Sequence, residues 1–277
     1  MYVMIVPCIP DPSLRAEGIT GDEDMRAYAR CLERCKVFGL DVVLLPCPET
    51  LYLGKNRAPG SFLDRLDTDE FSSLLDELES VVRKIIFERG EPLCIVGVDS
   101  SPACGVKTTW FASDEKSNHR GAFLSRFPEI PAIDVYDFAR YRVYLASPLF
   151  SEAERRYNEM IRDLLTTHCF EVYFPQEVGQ DTSYRPYEAM EAIFNSHCAA
   201  LKNCDWMVAI IDGSDADSGT AWEMGYVCAL GIPVISLRTD FRQVGQNEYV
   251  NLMLELSSTV VTKKEDLPRA LISPLYH

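Results

Sequence analysis

Short apolar runs alternate with amphipathic helical patterns along most of the chain. In the first half these runs are, in order, YVMIVP, DVVLLP and LCIVGV. They are continuous in apolar and β-branched residues, which is typical of parallel strands buried on both faces. The helical pattern after the first run has Asp22 as its expected N-cap and stops at Gly39, and the pattern after the second run stops at Gly90. This order predicts an open parallel α/β sheet.

The alternation stops once, near the middle of the chain, and then resumes. From about Trp110 to Arg140 the sequence is irregular, with a polar stretch and two closely spaced prolines. Four further apolar runs follow, separated by helical patterns, and they are RVYLASPLF, FEVYFP, WMVAIID and IPVISLR. We therefore predict an α/β protein with two consecutive open parallel-sheet domains of Rossmann or flavodoxin-like type, residues 1–139 and 140–277.

The composition is typical of a soluble globular protein, and the charge argues against one class of partner. A chain of 277 residues can form two cores. No apolar run approaches the roughly 20 residues that span a bilayer. The first residues, MYVMIVPCIP, lack a basic leader, so we expect a cytoplasmic protein without a membrane segment. A net charge of −15 would repel a phosphate backbone, so nucleic acid is not an expected partner.

Three of the ten cysteines follow predicted strands of the first domain. Cys8 and Cys47 come directly after the first two strands, and Cys104 lies a few residues beyond the third. The carboxyl ends of parallel strands gather ligands at one edge of a sheet. Three thiolates there could hold a metal centre, including a 4Fe-4S cluster with one iron open to substrate; alternatively, they are incidental loop cysteines. Cys31 and Cys35, one helical turn apart, are typical of core packing.

These cysteines lie in segments that resemble the DUF523 family, which includes the thiouracil desulfurases. The matching segments are the first cysteine, PCPETLYLGKNRAPG around Cys47, and SSPACG around Cys104. The resemblance covers roughly the first 110 residues and implies a three-cysteine 4Fe-4S cluster. It also implies that Glu49 and Ser101 act as acid-base and substrate-orienting groups. The chain departs from the family in LRAEG, where Arg15 stands near the place of a second family cysteine.

The segment WMVAIIDGSDADSGTAWEMGYVCALGIPVISL contains the densest chemistry of the second half. A buried strand ends in a loop rich in aspartates, and a helix begins near Ser218. Asp217 and Glu223 are therefore expected to face a common cleft at the carboxyl edge of the sheet. One carboxylate can capture an anomeric carbon covalently while a second acidic group assists the leaving base. The alternative is that Asp217 caps the helix and Glu223 is a solvated helix residue.

The same segment resembles the nucleoside 2-deoxyribosyltransferase family. The family hallmark residues here are Asp217, Gly219, Thr220, Glu223 and Gly225, followed by GIPV, in which isoleucine replaces a lysine. Two further segments agree, namely YLASPLF with its tyrosine and the NLM triplet. The resemblance extends over about 125 residues in the family order.

By this resemblance, Glu223 is the nucleophile and Tyr144 positions it. Asp217 contacts or protonates the base. Asn251 reaches the sugar 5′-hydroxyl in the site of a neighbouring subunit, so the resemblance also implies a homo-oligomer. A neutral asparagine there favours a nucleoside over a nucleotide.

The expected substrate-binding residues also include Gly219, Met253 and His197. His197 departs from the family, which has a base-contacting aspartate at this helix position. A histidine can donate a hydrogen bond where a carboxylate only accepts one, so the base preference is expected to differ. The alternative is a partly buried helix histidine that bonds to the backbone.

Other residues near this segment favour structural interpretations. Trp222, Met224 and Tyr226 occur at helical spacing and are more typical of a core than of a base-stacking set. Arg238 and Arg242 in RTDFR are expected to lie in a solvated loop.

The sequence therefore predicts a two-domain enzyme of nucleoside or nucleobase salvage. Its second domain would cleave or transfer at an N-glycosidic bond, and its first would remove sulfur from a thiolated pyrimidine with a 4Fe-4S cluster. One alternative is a non-catalytic nucleoside-binding module. Another keeps the second-domain enzyme but gives the first domain a zinc or purely structural cysteine site. The base, the sugar and the acceptor, water or a second base, are left open.

Overall fold

The computed structural model describes residues 1–178, 187–243, 245, 248 and 250–273. The chain divides into two compact units, the first ending at Ala139 and the second beginning at Arg140. In the described part of the chain, no helix is both long enough and apolar enough to cross a membrane.

The first unit is built on a four-stranded parallel sheet with the strand order β2-β1-β3-β6. A separate antiparallel hairpin, β4-β5, follows the third strand of this sheet. The elements are, in chain order, β1 (Tyr2–Ile5), α1 (Asp22–Val37), β2 (Asp41–Leu44), α2 (Pro48–Leu53), α3 (Phe62–Arg65), α4 (Asp69–Arg89), β3 (Ile95–Gly97), β4 (Thr109–Ala112), β5 (Glu115–Ser117), β6 (Ala132–Asp134) and α5 (Val135–Phe138).

Two expectations for this unit need correction. The run DVVLLP was expected to be buried on both faces, but Val42 and Leu44 of β2 are exposed, because β2 is an edge strand. The N-cap of α1 is Gly21 rather than Asp22, and the Gly21 N–H donates to Asp24 Oδ2 at 2.8 Å. The helix α4 ends as predicted, at Gly90 with a φ of +82°.

The segment from Trp110 to Arg140 is more regular than its sequence suggests. It contributes the β4-β5 hairpin, the edge strand β6 and the short helix α5 to the first unit. These strands are only three or four residues long, too short to give a clear hydrophobic period.

The second unit is built on a five-stranded parallel sheet with the strand order β11-β10-β9-β7-β8. Its elements are, in chain order, β7 (Arg142–Ala146), α6 (Glu152–Thr167), β8 (Glu171–Tyr173), α7 (Tyr187–Asn203), β9 (Trp206–Ile210), α8 (Ser218–Ala229), β10 (Val234–Leu237), α9 (Leu252–Leu256), β11 (Thr259–Val261) and α10 (Leu267–Ala270). The core joins β7 and β9 to the buried side of α8, where Met224 and Val227 are fully buried. The predicted α/β class with two parallel sheets is confirmed.

In each sheet there is one pair of neighbouring strands on either side of which the chain adds strands in opposite directions. This switch point is where a candidate site is expected. In the first sheet the order reverses between β1 and β3, and in the second it reverses between β7 and β9. Open α/β sheets bind ligands in the crevice outside the carboxyl ends of the strands at such a switch point. The loops after these strands are therefore the expected ligand-binding segments.

Candidate functional sites

The second switch point brings together two of the residues expected to form the glycosidic site. Tyr144 is fully buried on β7, and Glu223 is half-buried in the second turn of α8, the helix that follows β9. The Tyr144 hydroxyl donates a hydrogen bond to Glu223 Oε1 at 2.5 Å. This short bond orients the carboxylate and leaves its second oxygen outside that contact.

The surroundings of Glu223 favour its neutral form more than water does. Burial raises the pKa of Glu223 to about 7, and the nearby Asp217 carboxylate adds to the increase, whereas the Tyr144 hydrogen bond opposes it. Burial and the Glu223 charge raise the pKa of Tyr144, so the phenol stays a donor. A carboxylate that titrates near neutral pH is typical of a group that takes part in covalent or acid-base chemistry.

Asp217 has a structural role that the sequence left open. It is the N-cap of α8, and its Oδ2 accepts hydrogen bonds from the N–H groups of Gly219 at 2.9 Å and Thr220 at 3.1 Å. These bonds fix the carboxylate at the start of the helix that carries Glu223. The capping interpretation and the functional one are therefore compatible, because both capping hydrogen bonds go to Oδ2 and the Oδ1 atom is not part of the cap.

A third side chain, that of Tyr173, stacks on Tyr144. Tyr173 of β8 is the register partner of Tyr144 of β7, and their rings stack with centroids 5.2 Å apart and planes 16° apart. The Tyr173 hydroxyl lies 3.0 Å from His197 Nδ1. Within the described residues the His197 side chain therefore bonds to a side chain, that of Tyr173, which stacks on the tyrosine that bonds to Glu223. Sequence reasoning missed Tyr173, although both strands contain the pair Val-Tyr at matching positions.

Asn251 and Met253 make no described hydrogen bond to the Glu223 carboxylate. Asn251 is the exposed N-cap of α9, and its Oδ1 accepts from the Met253 N–H at 3.0 Å. Within the described residues Asn251 has no hydrogen bond to Tyr144, Asp217 or Glu223.

Two expectations about neighbouring residues are wrong. Trp222 is 49% exposed and stacks on Tyr226, so it is not part of the core, whereas Met224 is fully buried. Arg238 is buried, and its guanidinium donates to the carbonyl oxygens of Ile211, Gly213 and Arg242.

The loop after β9 is fixed to the loop after β10. Asp212, an early member of the aspartate-rich loop, accepts from the Thr239 and Asp240 N–H groups at 2.5 and 2.8 Å. Asp240 in turn accepts from the Gly213 N–H at 3.2 Å. Together with the Arg238 contacts, this network holds the loop that leads to Asp217. The sequence signals for this network were the aspartate-rich loop and the residue pattern RTDFR.

The first switch point opens into a cavity of about 600 Å³ within the first unit. All five residues expected to form a cluster site line this cavity, and they are Cys8, Cys47, Glu49, Ser101 and Cys104. Arg15 and Arg57 line it as well. The sheet topology explains the convergence, because the three cysteines follow β1, β2 and β3, which are neighbours in the sheet.

Glu49 is held from both sides in this cavity. Arg57, whose side chain is only 4% exposed, forms an ion pair with Glu49 Oε2 at 3.2 Å. Ser101 donates to Glu49 Oε1 at 2.9 Å and accepts from the Cys104 N–H at 3.0 Å. Cys47 begins the adjacent helix α2, and its Sγ accepts from the Thr50 N–H at 3.4 Å. The carboxylate and the hydroxyl are thus bonded to each other, and the hydroxyl also fixes the backbone of Cys104.

The loop that carries Ser101 and Cys104 is shaped by Asp99, a residue that sequence reasoning did not select. Asp99 Oδ1 accepts hydrogen bonds from three successive N–H groups, those of residues 106–108, at 2.9, 2.7 and 3.2 Å. Ser100 has a φ of +68°, in the left-handed region that non-glycine residues rarely adopt. Such a conformation persists only where the surrounding bonds enforce it. The available signal was an aspartate directly after the apolar run LCIVGV.

The donor set in the cavity fits an iron-sulfur cluster. Burial raises the pKa of Cys104 well above its usual value, and the nearby Cys47, Cys8 and Glu49 charges raise it further. Burial likewise raises the pKa of Cys8 to about 12, and Arg15 partly offsets this. Burial therefore keeps these thiols protonated unless a positively charged partner, such as bound iron, stabilises the thiolates.

In the described parts of the chain, no three His, Cys, Asp or Glu side chains surround one ion position. A zinc site would need its ligands around one such position, whereas each cysteine of a 4Fe-4S site binds a different iron.

Two parallel sheets, each with ionisable side chains at its switch point, define a two-unit α/β protein. Residues 143–262 match the family model described as Nucleoside 2-deoxyribosyltransferase. Residues 2–127 match the family model described as Putative 2-thiouracil desulfurase. Both resemblances expected from the sequence are confirmed, each over less than half of the chain. Together the two matches support an enzyme that modifies nucleosides or nucleobases.

Three individual relatives each match less than half of the chain. An uncharacterized protein of Ureaplasma parvum serovar 3 is 29% identical over 131 residues, which are 42% of this chain and 82% of the relative. A 2-deoxyribosyltransferase from Bacillus psychrosaccharolyticus is 26% identical, with 46% of this chain and 89% of that chain covered and a TM-score of 0.41. A 4Fe-4S-dependent thiouracil desulfidase is 14% identical, with 48% and 89% covered and a TM-score of 0.34.

Proposed function

We propose that the second unit cleaves or transfers at the N-glycosidic bond of a nucleoside, with Glu223 as nucleophile. The observation that carries this proposal is the Tyr144–Glu223 hydrogen bond at the switch point. The Glu223 carboxylate attacks the anomeric carbon, and the bond from that carbon to the base nitrogen breaks with its electron pair left on the base. A proton delivered to the base balances that charge. Water or a second base then releases the sugar from Glu223.

Asp217 is the group best placed to assist the leaving base. Its Oδ2 is bound to the first turn of α8, so the carboxylate has one orientation, and its charge is felt at Glu223. Gly219 serves this site by donating its N–H to Asp217. Asn251 and Met253, which lie on the exposed start of α9, would complete the site in a second copy of the chain.

The test of this site is the loss of turnover in Glu223→Ala. Purified wild-type protein is incubated with a panel of ribo- and deoxyribonucleosides, and free base is measured chromatographically with and without a second base as acceptor. Glu223→Ala should abolish release. Glu152→Gln is a matched control, because Glu152 is an exposed carboxylate on α6. Retained release in Glu223→Ala would show that the nucleophile is elsewhere, and no release by wild type would favour a binding module.

For the first unit, we propose a desulfurase in which Cys8, Cys47 and Cys104 hold a 4Fe-4S cluster. When bound, the cluster would supply an iron atom open to a sulfur ligand. Exchange of the thiocarbonyl sulfur for oxygen consumes water and releases hydrogen sulfide, so it needs no oxidant or reductant. Glu49, held between Arg57 and Ser101, is the group that can accept the proton of the attacking water, and Ser101 orients the substrate.

The cluster is tested by metal and sulfide analysis of protein purified without oxygen. Wild type should contain about four irons and four sulfides per chain with broad visible absorbance, and Cys104→Ser should lose them. Cys228→Ser is the control, because Cys228 is exposed on α8. Zinc in place of iron, or no metal at all, would leave the thiols as a zinc or structural site.

A further inference from the structure

Glu223 and His197 bond to two neighbouring tyrosines. Tyr144 and Tyr173 are register partners on adjacent strands, and their rings stack with centroids 5.2 Å apart. One hydroxyl bonds to Glu223 and the other to His197 Nδ1. We therefore expect the imidazole to lie near a base whose sugar carbon is at Glu223.

The Tyr173 hydroxyl is the group that can set which ring nitrogen of His197 has the proton. Burial lowers the pKa of His197, which favours the neutral ring with one N–H donor and one acceptor nitrogen. When the Tyr173 O–H donates to Nδ1, the ring hydrogen is on Nε2, which is then a donor.

We propose that Tyr173 fixes His197 as a neutral Nε2–H donor, and that the glycosidic site thereby selects bases with a carbonyl or thiocarbonyl acceptor over bases with an amino group at that position. This inference rests on the proposed function of the second unit. A fixed donor pairs with a C=O or C=S group, whereas an amino group would place two donors against each other and leave both unpaired. Sites that leave a buried polar group unpaired reject the wrong ligand strongly.

This selection would give the two units a common class of base. A thiolated pyrimidine and its desulfurated product both present an acceptor at the same ring position. The glycosidic site would therefore accept the substrate and the product of the first unit. It would discriminate against an aminopyrimidine such as cytosine.

The experiment compares nucleosides that differ only in this group. Values of kcat/KM are measured for deoxyuridine against deoxycytidine and for deoxyinosine against deoxyadenosine. We expect wild type to prefer the oxo member of each pair by about tenfold or more. His197→Asp replaces the donor with an acceptor and should reverse the preference.

Two further variants separate recognition from folding. Tyr173→Phe keeps the ring stack but removes the hydroxyl that fixes His197, so the preference should shrink while the thermal stability changes little. Ser196→Ala is the control on the same helix, because Ser196 is exposed and bonds only within α7. It should keep the wild-type ratio.

The outcomes distinguish this inference from the function it rests on. Turnover with equal rates, with an amino preference, or with a ratio unchanged in His197→Asp overturns the inference alone. If no nucleoside is turned over, the proposed catalysis fails. Calorimetric binding of the same pairs then decides the base class, and equal affinity of the oxo and amino members overturns it.

Discussion

At the scale of single residues, two opposing effects act on the pKa of Glu223. Burial and the Asp217 charge favour the protonated acid, whereas the Tyr144 hydroxyl favours the carboxylate. A nucleophile must be ionised, so the fraction of active enzyme depends on this balance near neutral pH.

The balance predicts the pH profile of the glycosidic reaction. The kcat/KM value should rise with pH through a midpoint near 7, as Glu223 loses its proton. Tyr144→Phe removes the donor that stabilises the carboxylate, so its midpoint should move to higher pH. A hydrogen bond to a charged group contributes about 1.5–3 kcal/mol, so the rate at pH 7 should fall about ten- to hundredfold. An unchanged midpoint in Tyr144→Phe would contradict this assignment.

The same pKa predicts how stability depends on pH. The pKa of Glu223 is raised from 4.5 to about 7, so between these values the folded protein keeps a proton that the unfolded chain has released. The free energy of unfolding therefore falls as the pH rises through this window. Glu223→Gln removes this penalty, and its melting temperature should exceed that of wild type by more at pH 8 than at pH 5. Glu152→Gln should show no such difference.

At the scale of elements, the start of α8 contains a residue that both caps the helix and belongs to the proposed site. Asp217 caps the helix through the Gly219 N–H, so anything that displaces the cap also displaces a site carboxylate. A Cβ at Gly219 would come within 3.0 Å of Asp217 Oδ2, whereas a Cβ at Gly225 in the same helix would meet no atom within 4 Å.

These two glycines give a matched pair of substitutions. Either change to alanine removes a helix glycine, which favours the helix by up to about 1 kcal/mol. Gly219→Ala should nevertheless lose glycosidic activity, because its methyl group presses on Asp217. Gly225→Ala should keep its activity. Equal activity in the two variants, measured at saturating nucleoside, would argue against a role for the Asp217 orientation.

The loop after β3 allows a corresponding test in the first unit. Asp99→Ala removes the acceptor of three backbone N–H groups and should release the strained Ser100 conformation. Iron content should fall, and the apo-protein should be destabilised by about 1–3 kcal/mol. Asp99→Asn keeps an oxygen acceptor and should restore most of the iron. Full iron content in Asp99→Ala would show that the loop is held by other bonds.

At the scale of the whole molecule, each unit has its own sheet, core and switch point. The residues of one proposed site do not overlap with those of the other. We therefore expect the two chemistries to be separable by single substitutions in the full chain.

This expectation is tested by measuring both activities in the same two variants. Cys104→Ser should lose iron and desulfuration but keep nucleoside turnover. Glu223→Gln should lose nucleoside turnover but keep iron and desulfuration. Loss of both activities in a variant that unfolds at the wild-type temperature would mean that the sites depend on each other.

Two of the errors in the sequence predictions have a common physical origin. DVVLLP has the composition of a buried strand, but exposure depends on whether a strand lies at the edge of the sheet, and only the pairing decides that. Arg238 was expected in solvent because arginine usually is, yet backbone carbonyls of a distant loop surround it. In both cases the deciding neighbour is far away in sequence.

The sequence by itself determined the α/β class, the parallel strands, and the motifs containing Cys8, Cys47, Cys104, Asp217 and Glu223, because these depend on local periodicity and on residue types at fixed spacing. Only the tertiary structure decided the strand orders, and hence the two switch points where those residues meet. It also decided the Tyr144–Tyr173 register and the bonds to Glu223 and His197. Such contacts join strands and helices that are distant in the chain, and no local pattern specifies their distance or their direction.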